Sequence, residues 1–374
     1  GGSGATRSYV QVGHGGHEAD ATTGHSGRIA LASRTGAISF TSGAGTSVES
    51  YVQVGHGGLF ASGDHGGDLV VRAGNNLLLS GSAGADRFVP DPVDPVNNPP
   101  IRVDHRGYAQ IGHGGLGSEG DRSGAITITS QIAGDYSDLG DFDGDGSADV
   151  VTIAAGTSSE GLLINGGTDA VTGANDSYAQ IGHGGRLARG TNEGDITVDA
   201  LRQIRAVAGQ LGARTYVQIG HGGSDAAPIG GAPGTTVNDG DITVISRNNN
   251  IDFRWTATGT LTTDGTYAQL GHGGTLTDPL LSGVNAGGDN SGDIRVSAGT
   301  NLLFRSTTGG VTTAGTTSKG NYVQIGHGGL RWTGDHSGDI AVRAGALGAT
   351  GTRLLLTLVR ELEQSGKSLG CASA

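Results

Sequence analysis

Tyr108-Ala109-Gln110-Ile111-Gly112-His113-Gly114-Gly115 recurs, with only aliphatic swaps, at seven places in a chain of 374 residues. The copies begin at Tyr9, Tyr51, Tyr108, Tyr178, Tyr216, Tyr267 and Tyr322. They hold seven of the 8 tyrosines and seven of the 12 histidines. An active site is needed once, so a phrase written seven times is first a building unit. Repetition at some tens of residues marks a stacked architecture in which each unit buries its neighbour's face.

Working outward from the phrase, its second and fourth positions are always aliphatic: Val10 and Val12, Ala109 and Ile111, Ala268 and Leu270. Successive side chains of a strand point to opposite sides, so these look inward while Tyr and Gln look outward. A second phrase follows each first one: Ser26-Gly27-Arg28-Ile29, Gly67-Asp68-Leu69, Ser123-Gly124-Ala125-Ile126, Gly194-Asp195-Ile196, Gly240-Asp241-Ile242, Gly292-Asp293-Ile294 and Gly338-Asp339-Ile340. Each opens a short alternating run such as Ile242-Thr243-Val244. After most comes a third apolar run, among them Leu77 to Leu79, Leu162 to Ile164 and Leu302 to Phe304. Three short strands per repeat, each with an aliphatic face, predict an all-β fold: a right-handed parallel β-helix, a three-sided solenoid of about seven repeats.

The copies are spaced unevenly, 42, 57, 70, 38, 51 and 55 residues apart, so loops of varying length interrupt a constant scaffold. Residues 1–353 read as a single solenoid with two insertions, a Pro-rich loop at 84–107 and an acidic loop at 131–160. Residues 354–374 read as a C-terminal cap or tail, in which Leu354 to Leu362 lacks glycine and suits an amphipathic helix over the last coil.

Composition narrows the function. Glycine supplies 74 residues, aromatics only 4% and methionine none, so large side chains for an ordinary globular core are scarce. Net charge is −12 and the only lysines are Lys319 and Lys367, which leaves no basic stripe for nucleic acid. No stretch approaches the ~20 apolar residues of a membrane-spanning helix. Cys371 is the single cysteine, which excludes a disulfide framework.

The run Gly67-Asp68-Leu69-Val70-Val71-Arg72-Ala73-Gly74-Asn75-Asn76-Leu77-Leu78-Leu79 resembles the coils of filamentous-haemagglutinin-type β-helices, found in large bacterial adhesins and secreted exoproteins. The similarity covers the chain from about Tyr9 to Gly345. It implies a secreted or surface-attached right-handed β-helix used for adhesion or as a fibrous scaffold. The Gly-His-Gly-Gly phrase is not part of that pattern and is argued on its own residues.

Stacked in register, His14, His56, His113, His183, His221, His272 and His327 form a row about 5 Å apart. Neighbouring imidazoles are able to share a transition metal, but no carboxylate or cysteine recurs at ligand spacing. The structural alternative is that the ring nitrogens bond loop carbonyls and fix the glycine corner. Tyr9, Tyr51, Tyr108, Tyr178, Tyr216, Tyr267 and Tyr322 form either a ladder with the glutamines or an aromatic contact surface. The sharpest single motif is Asp141-Phe142-Asp143-Gly144-Asp145-Gly146-Ser147-Ala148-Asp149. Asp141, Asp143, Asp145 and Asp149 at positions 1, 3, 5 and 9, with glycine at 6, converge oxygens on a hard cation. The motif resembles calcium loops of the EF-hand and dockerin kind, although Thr152 stands where an EF-hand carries Glu. A structural Ca2+ is the expected cofactor. The aspartates after glycine read as turn residues bonded to backbone N–H groups.

Many parallel β-helices degrade polysaccharides, and such sites need clustered carboxylates or basic groups. Here the unrepeated ionisable residues are scattered: Arg87, Arg102, His105, Arg106, Asp135, Asp138, Arg186 and Arg189. The expectation is therefore a non-catalytic extracellular or cell-surface protein, a subunit of a self-assembling fibre or scaffold built by end-to-end β-helix stacking. Its expected partner is a further copy of itself, with glycans as a second class. A carbohydrate-binding adhesin passenger domain and a polysaccharide-degrading β-helix enzyme stay open as alternatives.

Overall fold

A parallel ladder forms when each strand finds an identical strand one step along, and the octapeptides provide that identity. The computed structural model describes residues 7–43, 49–81, 87–89, 101–103, 106–141, 145–167, 177–209, 214–226, 238–258, 265–275, 287–309 and 320–350. The seven octapeptides become one seven-stranded sheet, in chain order: Arg7–Val12, Glu49–Val54, Arg106–Ile111, Tyr178–Ile181, Tyr216–Ile219, Tyr267–Leu270 and Tyr322–Ile325. Every neighbouring pair is parallel, with Tyr opposite Tyr and Gln opposite Gln.

The second and third runs share a twelve-stranded sheet. Strands such as Ile126–Ser130, Ile196–Ala200 and Ile242–Ser246 form one parallel series. Glu160–Gly166, Gln203–Ala208 and Ile251–Thr258 form another. The long strand Ile294–Gly309 belongs to both series and joins them, and Ile340–Thr350 pairs along it. Between the tyrosine sheet and this one lies a wall that the periodicity did not reveal. It is a six-stranded sheet of dipeptides, His25–Ser26, His65–Gly66, Arg122–Ser123, Asn192–Glu193, Asn238–Asp239 and Asn290–Ser291. Two residues are too few for alternation to register. The chain is all-β and solenoid-like, its parallel sheets stacked along one direction, with no helix among the described residues.

The aliphatic faces meet inside. Ala179 and Ile181, Val217 and Ile219, Ile196 and Val198, Ile204 and Ala206 all belong to one continuous core and are fully buried. Phe253 and Phe304 stack within it at 5.3 Å. Core residues of this size contribute roughly 1.5–3 kcal/mol each by leaving water.

The acidic insertion docks onto the outer face of the twelve-stranded sheet, at the strand Leu69–Ala73. Its Gly134–Tyr136 and Val151–Ile153 strands pair as an antiparallel hairpin. Leu139, Val151 and Ile153 then cover Val70 in a small separate cluster. Arg72 lies 4.1 Å over the Tyr136 ring and forms an ion pair with Asp138. In the Pro-rich insertion Arg87–Val89 pairs antiparallel with Ile101–Val103; the prolines themselves lie outside the described residues, as does the C-terminal segment 354–374.

Truncating the core should cost what a stacked wall cannot refill. Ile181→Ala, at a position with no exposure, is expected to lower unfolding free energy by about 2–5 kcal/mol. Val10→Ala on the edge strand, where the residue is 54% exposed, should cost far less. Denaturant melts of the two variants check the contrast.

Candidate functional site

The groups with chemistry are the Tyr, Gln and His of the repeated phrase, and the glycine corner decides where they point. At Gly182 φ is +150° and an added Cβ would lie 2.0 Å from the Gly220 carbonyl oxygen of the next coil. Only glycine lets successive corners nest at ladder spacing. At Gly185, with φ +142°, an added Cβ would stand 2.6 Å from the Tyr178 hydroxyl. The chain after this corner turns back across the tyrosines. Its turn is marked by left-handed residues at the tenth position of the phrase: Glu18, Phe60, Leu187, Asp225 and Arg331, with φ between 54° and 60°.

This return segment corrects the outward reading of Tyr and Gln. They do face away from the aliphatic core, yet Tyr108, Tyr178, Tyr216 and Tyr267 are 0% exposed. Leu59 and Leu116 from the return segment pack with them as a second core. Ring centroids of neighbouring tyrosines are 4.7–5.0 Å apart and their planes within 4° of parallel. That spacing is the strand spacing and falls in the range of offset-stacked rings.

The glutamines lock the coils together. The Gln180 amide nitrogen donates to the His183 carbonyl of its own coil and to the Gly220 and Gly222 carbonyls of the next, at 3.3, 3.1 and 2.8 Å. Its oxygen accepts from the Tyr216 hydroxyl at 3.3 Å. Tyr267 with Gln218 and Tyr322 with Gln269 repeat that bond at 3.2 and 3.1 Å.

The histidines form a second column, with centroids 4.8–5.1 Å apart. Each Nδ1 from His56 onward accepts the backbone N–H of the preceding histidine at 2.9–3.2 Å. The same ring's Nε2 lies 2.6–2.9 Å from a glycine carbonyl in the second phrase of the preceding coil, Gly27 for His56 through Gly292 for His327. An Nδ1 that accepts carries no proton, so Nε2 carries it and donates. Both nitrogens of six rings are thus engaged, and no lone pair is left on them for a metal.

Two further ladders complete the wall. The carboxylates of Asp195, Asp241 and Asp293 accept the backbone N–H of Asp241, Asp293 and Asp339 at 2.8–2.9 Å, so each reaches the next coil rather than its own turn. The other was missed at sequence level. Asn192 donates to Asn238 and Asn238 to Asn290 at 2.8 and 2.7 Å, a buried amide column that begins at His25, His65 and Arg122. Its signal was present: a polar residue recurs three places before the residue that follows glycine in each second phrase, as in Asn238-Asp239-Gly240-Asp241.

The calcium-type motif is only partly described, since Asp143 lies outside the described residues. Asp141 accepts the Gly146 N–H at 2.8 Å and Asp145 the Ser147 N–H at 2.7 Å. Among the described residues no cluster of three metal-ligating side chains stands together. The unrepeated ionisable residues stay dispersed in local pairs: Asp138 with Arg72, Arg186 with Asp225, Arg189 with Glu119. Asp135 accepts from Thr152. His105 lies outside the described residues, as do the side chains of Arg87, Arg102 and Arg106. No protein family, curated protein or solved structure matches the chain.

Burial controls the ionisation of both rows. It pushes the phenols of Tyr108, Tyr216 and Tyr267 well up. It pushes His113, His221 and His327 down from 6.5 to about 4. His183 and His272 fall well below 6.5, where adjacent imidazoles add to the effect of burial. An unfolded histidine takes up its proton near 6.5, so the unfolded chain binds more protons between about pH 6.5 and 4. Stability is therefore full above about pH 6.5 and falls as the pH drops towards 4, by on the order of 3 kcal/mol per ring displaced from 6.5 to about 4. Thermal melts between pH 7 and 4 should show a steep fall in Tm through that window, and a flat profile would contradict the buried neutral row.

Proposed function

We propose that this chain is a non-catalytic structural protein of the cell surface or extracellular space, a subunit of a fibre or scaffold that extends by end-to-end stacking of a right-handed, three-sided β-helix. One observation carries the reading: the glutamine amides and histidine rings of the repeated phrase spend their hydrogen bonds on the neighbouring coil. A catalytic or ligand-binding row needs groups left over for a substrate, whereas both nitrogens of these rings are committed to the stack. The extracellular setting is supported by the likeness of the coils to surface β-helices.

Calcium belongs to the same proposal as a structural ion in the acidic insertion. The bonds that Asp141 and Asp145 accept from the Gly146 and Ser147 N–H groups, and the hairpin seated against Val70, support it. With millimolar Ca2+ the melt of this insertion should rise relative to chelator, and Asp145→Asn should remove most of that difference. An equal Tm with and without Ca2+ would sink the metal assignment.

Imaging tests the whole reading. Purified chain and native material should show unbranched fibres of uniform width, with a meridional spacing of about 4.8 Å along the fibre. Monodisperse particles at every concentration, or release of reducing ends from a polysaccharide, would overturn it.

A further inference from the structure

The two ends of the solenoid expose matching halves of the same ladders. On the first strand Tyr9 is 49% and Val10 54% exposed, whereas Tyr178 and Ala179 at the same register are 0% exposed. This strand pairs on one side only, with Glu49–Val54. The last strand of the tyrosine sheet, Tyr322–Ile325, pairs on one side only, with Tyr267–Leu270, and its side chains are half-buried. Nearby Val342 is 38% exposed.

The polar groups at these edges are complementary. Within the stack each glutamine amide reaches two glycine carbonyls of the following coil, yet Gln324 reaches only its own His327 carbonyl, at 3.2 Å. At the same register one coil earlier, the Gln269 oxygen accepts the Tyr322 hydroxyl. At the opposite end the Tyr9 hydroxyl and both His14 ring nitrogens have no hydrogen bond among the described residues, although His14 stacks on His56 at 5.1 Å. The column of residues after glycine in the second phrase carries opposite charges at its two ends. It is aspartate in the last four coils and closes on Asp339, but it opens on the cation Arg28.

Resting on the scaffold reading above, we propose that the occupant of each end is a second copy of this chain, docked head to tail, with Arg7–Val12 of one molecule laid parallel and in register on Tyr322–Ile325 of the next. In that joint the Gln324 amide donates to the Gly13 and Gly15 carbonyls across the boundary and accepts from Tyr9. His14 takes the two roles of the inner histidines: its Nδ1 accepts the His327 N–H and its Nε2–H donates to the Gly338 carbonyl. Arg28 comes to rest beside Asp339, opposite charges across the boundary. The contact is heterologous and does not close on itself, so it propagates as a filament.

Cysteine pairing tests the register. In a Cys371→Ser background, Val10→Cys and Val323→Cys place thiols at the two edges, about six strand steps or ~29 Å apart within one molecule. They cannot join within it, but facing strands of a joint stand within disulfide reach. Oxidation of the double variant should give a ladder of covalent oligomers on a denaturing gel, and each single variant should remain monomeric. A covalent dimer from Val10→Cys alone would reveal a head-to-head contact and overturn the joint. Fibres in the microscope without cross-linking would overturn this register while leaving the scaffold reading intact. Monomers with neither fibres nor cross-links would remove both, and would point to a capping partner or another segment of the chain as the occupant of the ends.

Discussion

Everything in this structure depends on corners that nest. A parallel stack of unlike loops keeps its register only if one position in every coil can approach the next within hydrogen-bond distance, and the glycines of Gly-His-Gly-Gly supply it. With Gly182 directly over Gly220, the His183 ring reaches the preceding coil and the Gln180 amide the following one. The tyrosines then stack because their backbones do. The ring spacing of 4.7–5.0 Å is the ladder's spacing and not one chosen by the rings.

The chain builds two cores from one strand. Alternation sends Ala179 and Ile181 into the aliphatic interior and Tyr178 and Gln180 to the other side, where the return segment closes over them. A strand buried on both faces leaves no polar group to water, so every amide and hydroxyl on the second face needs a partner. Gln–glycine and His–glycine bonds run between coils, and Tyr216, Tyr267 and Tyr322 donate to the preceding glutamine, whereas the Tyr51 and Tyr178 hydroxyls have no glutamine partner. That accounts for the near-invariance of the phrase within the chain while the intervening loops differ so much in length.

Much of the fold was legible from periodicity. The aliphatic positions of the octapeptide, the strand after each second phrase and the in-register stacking all followed from repetition and alternation, because both depend on local spacing alone. What escaped depended on tertiary contact. Nothing in Leu59 or Leu116 marks them as the lid on a tyrosine row, and left-handed Phe60 or Leu187 carries no turn signature. The dipeptide strands were too short to alternate. The histidine tautomer became readable only once His221 N–H was seen to meet the next ring's Nδ1. The hairpin of Gly134–Tyr136 with Val151–Ile153 lay hidden because its strands are only three residues long, too short to show alternation.

From His56 onward the histidine row is neutral, fixed in one tautomer and engaged between coils at both ring nitrogens. Nitrogen NMR of 15N-histidine-labelled protein reads this directly. Six rings should show an unprotonated Nδ1 and a protonated Nε2 at pH 7, with a through-bond coupling from each Nδ1 to the preceding histidine amide, and His113, His221 and His327 should hold that pattern to pH 5. Rings that titrate together near 6.5, or that exchange between tautomers, would mean the columns are not the bonded ladder described, and the stacking account would fail with them.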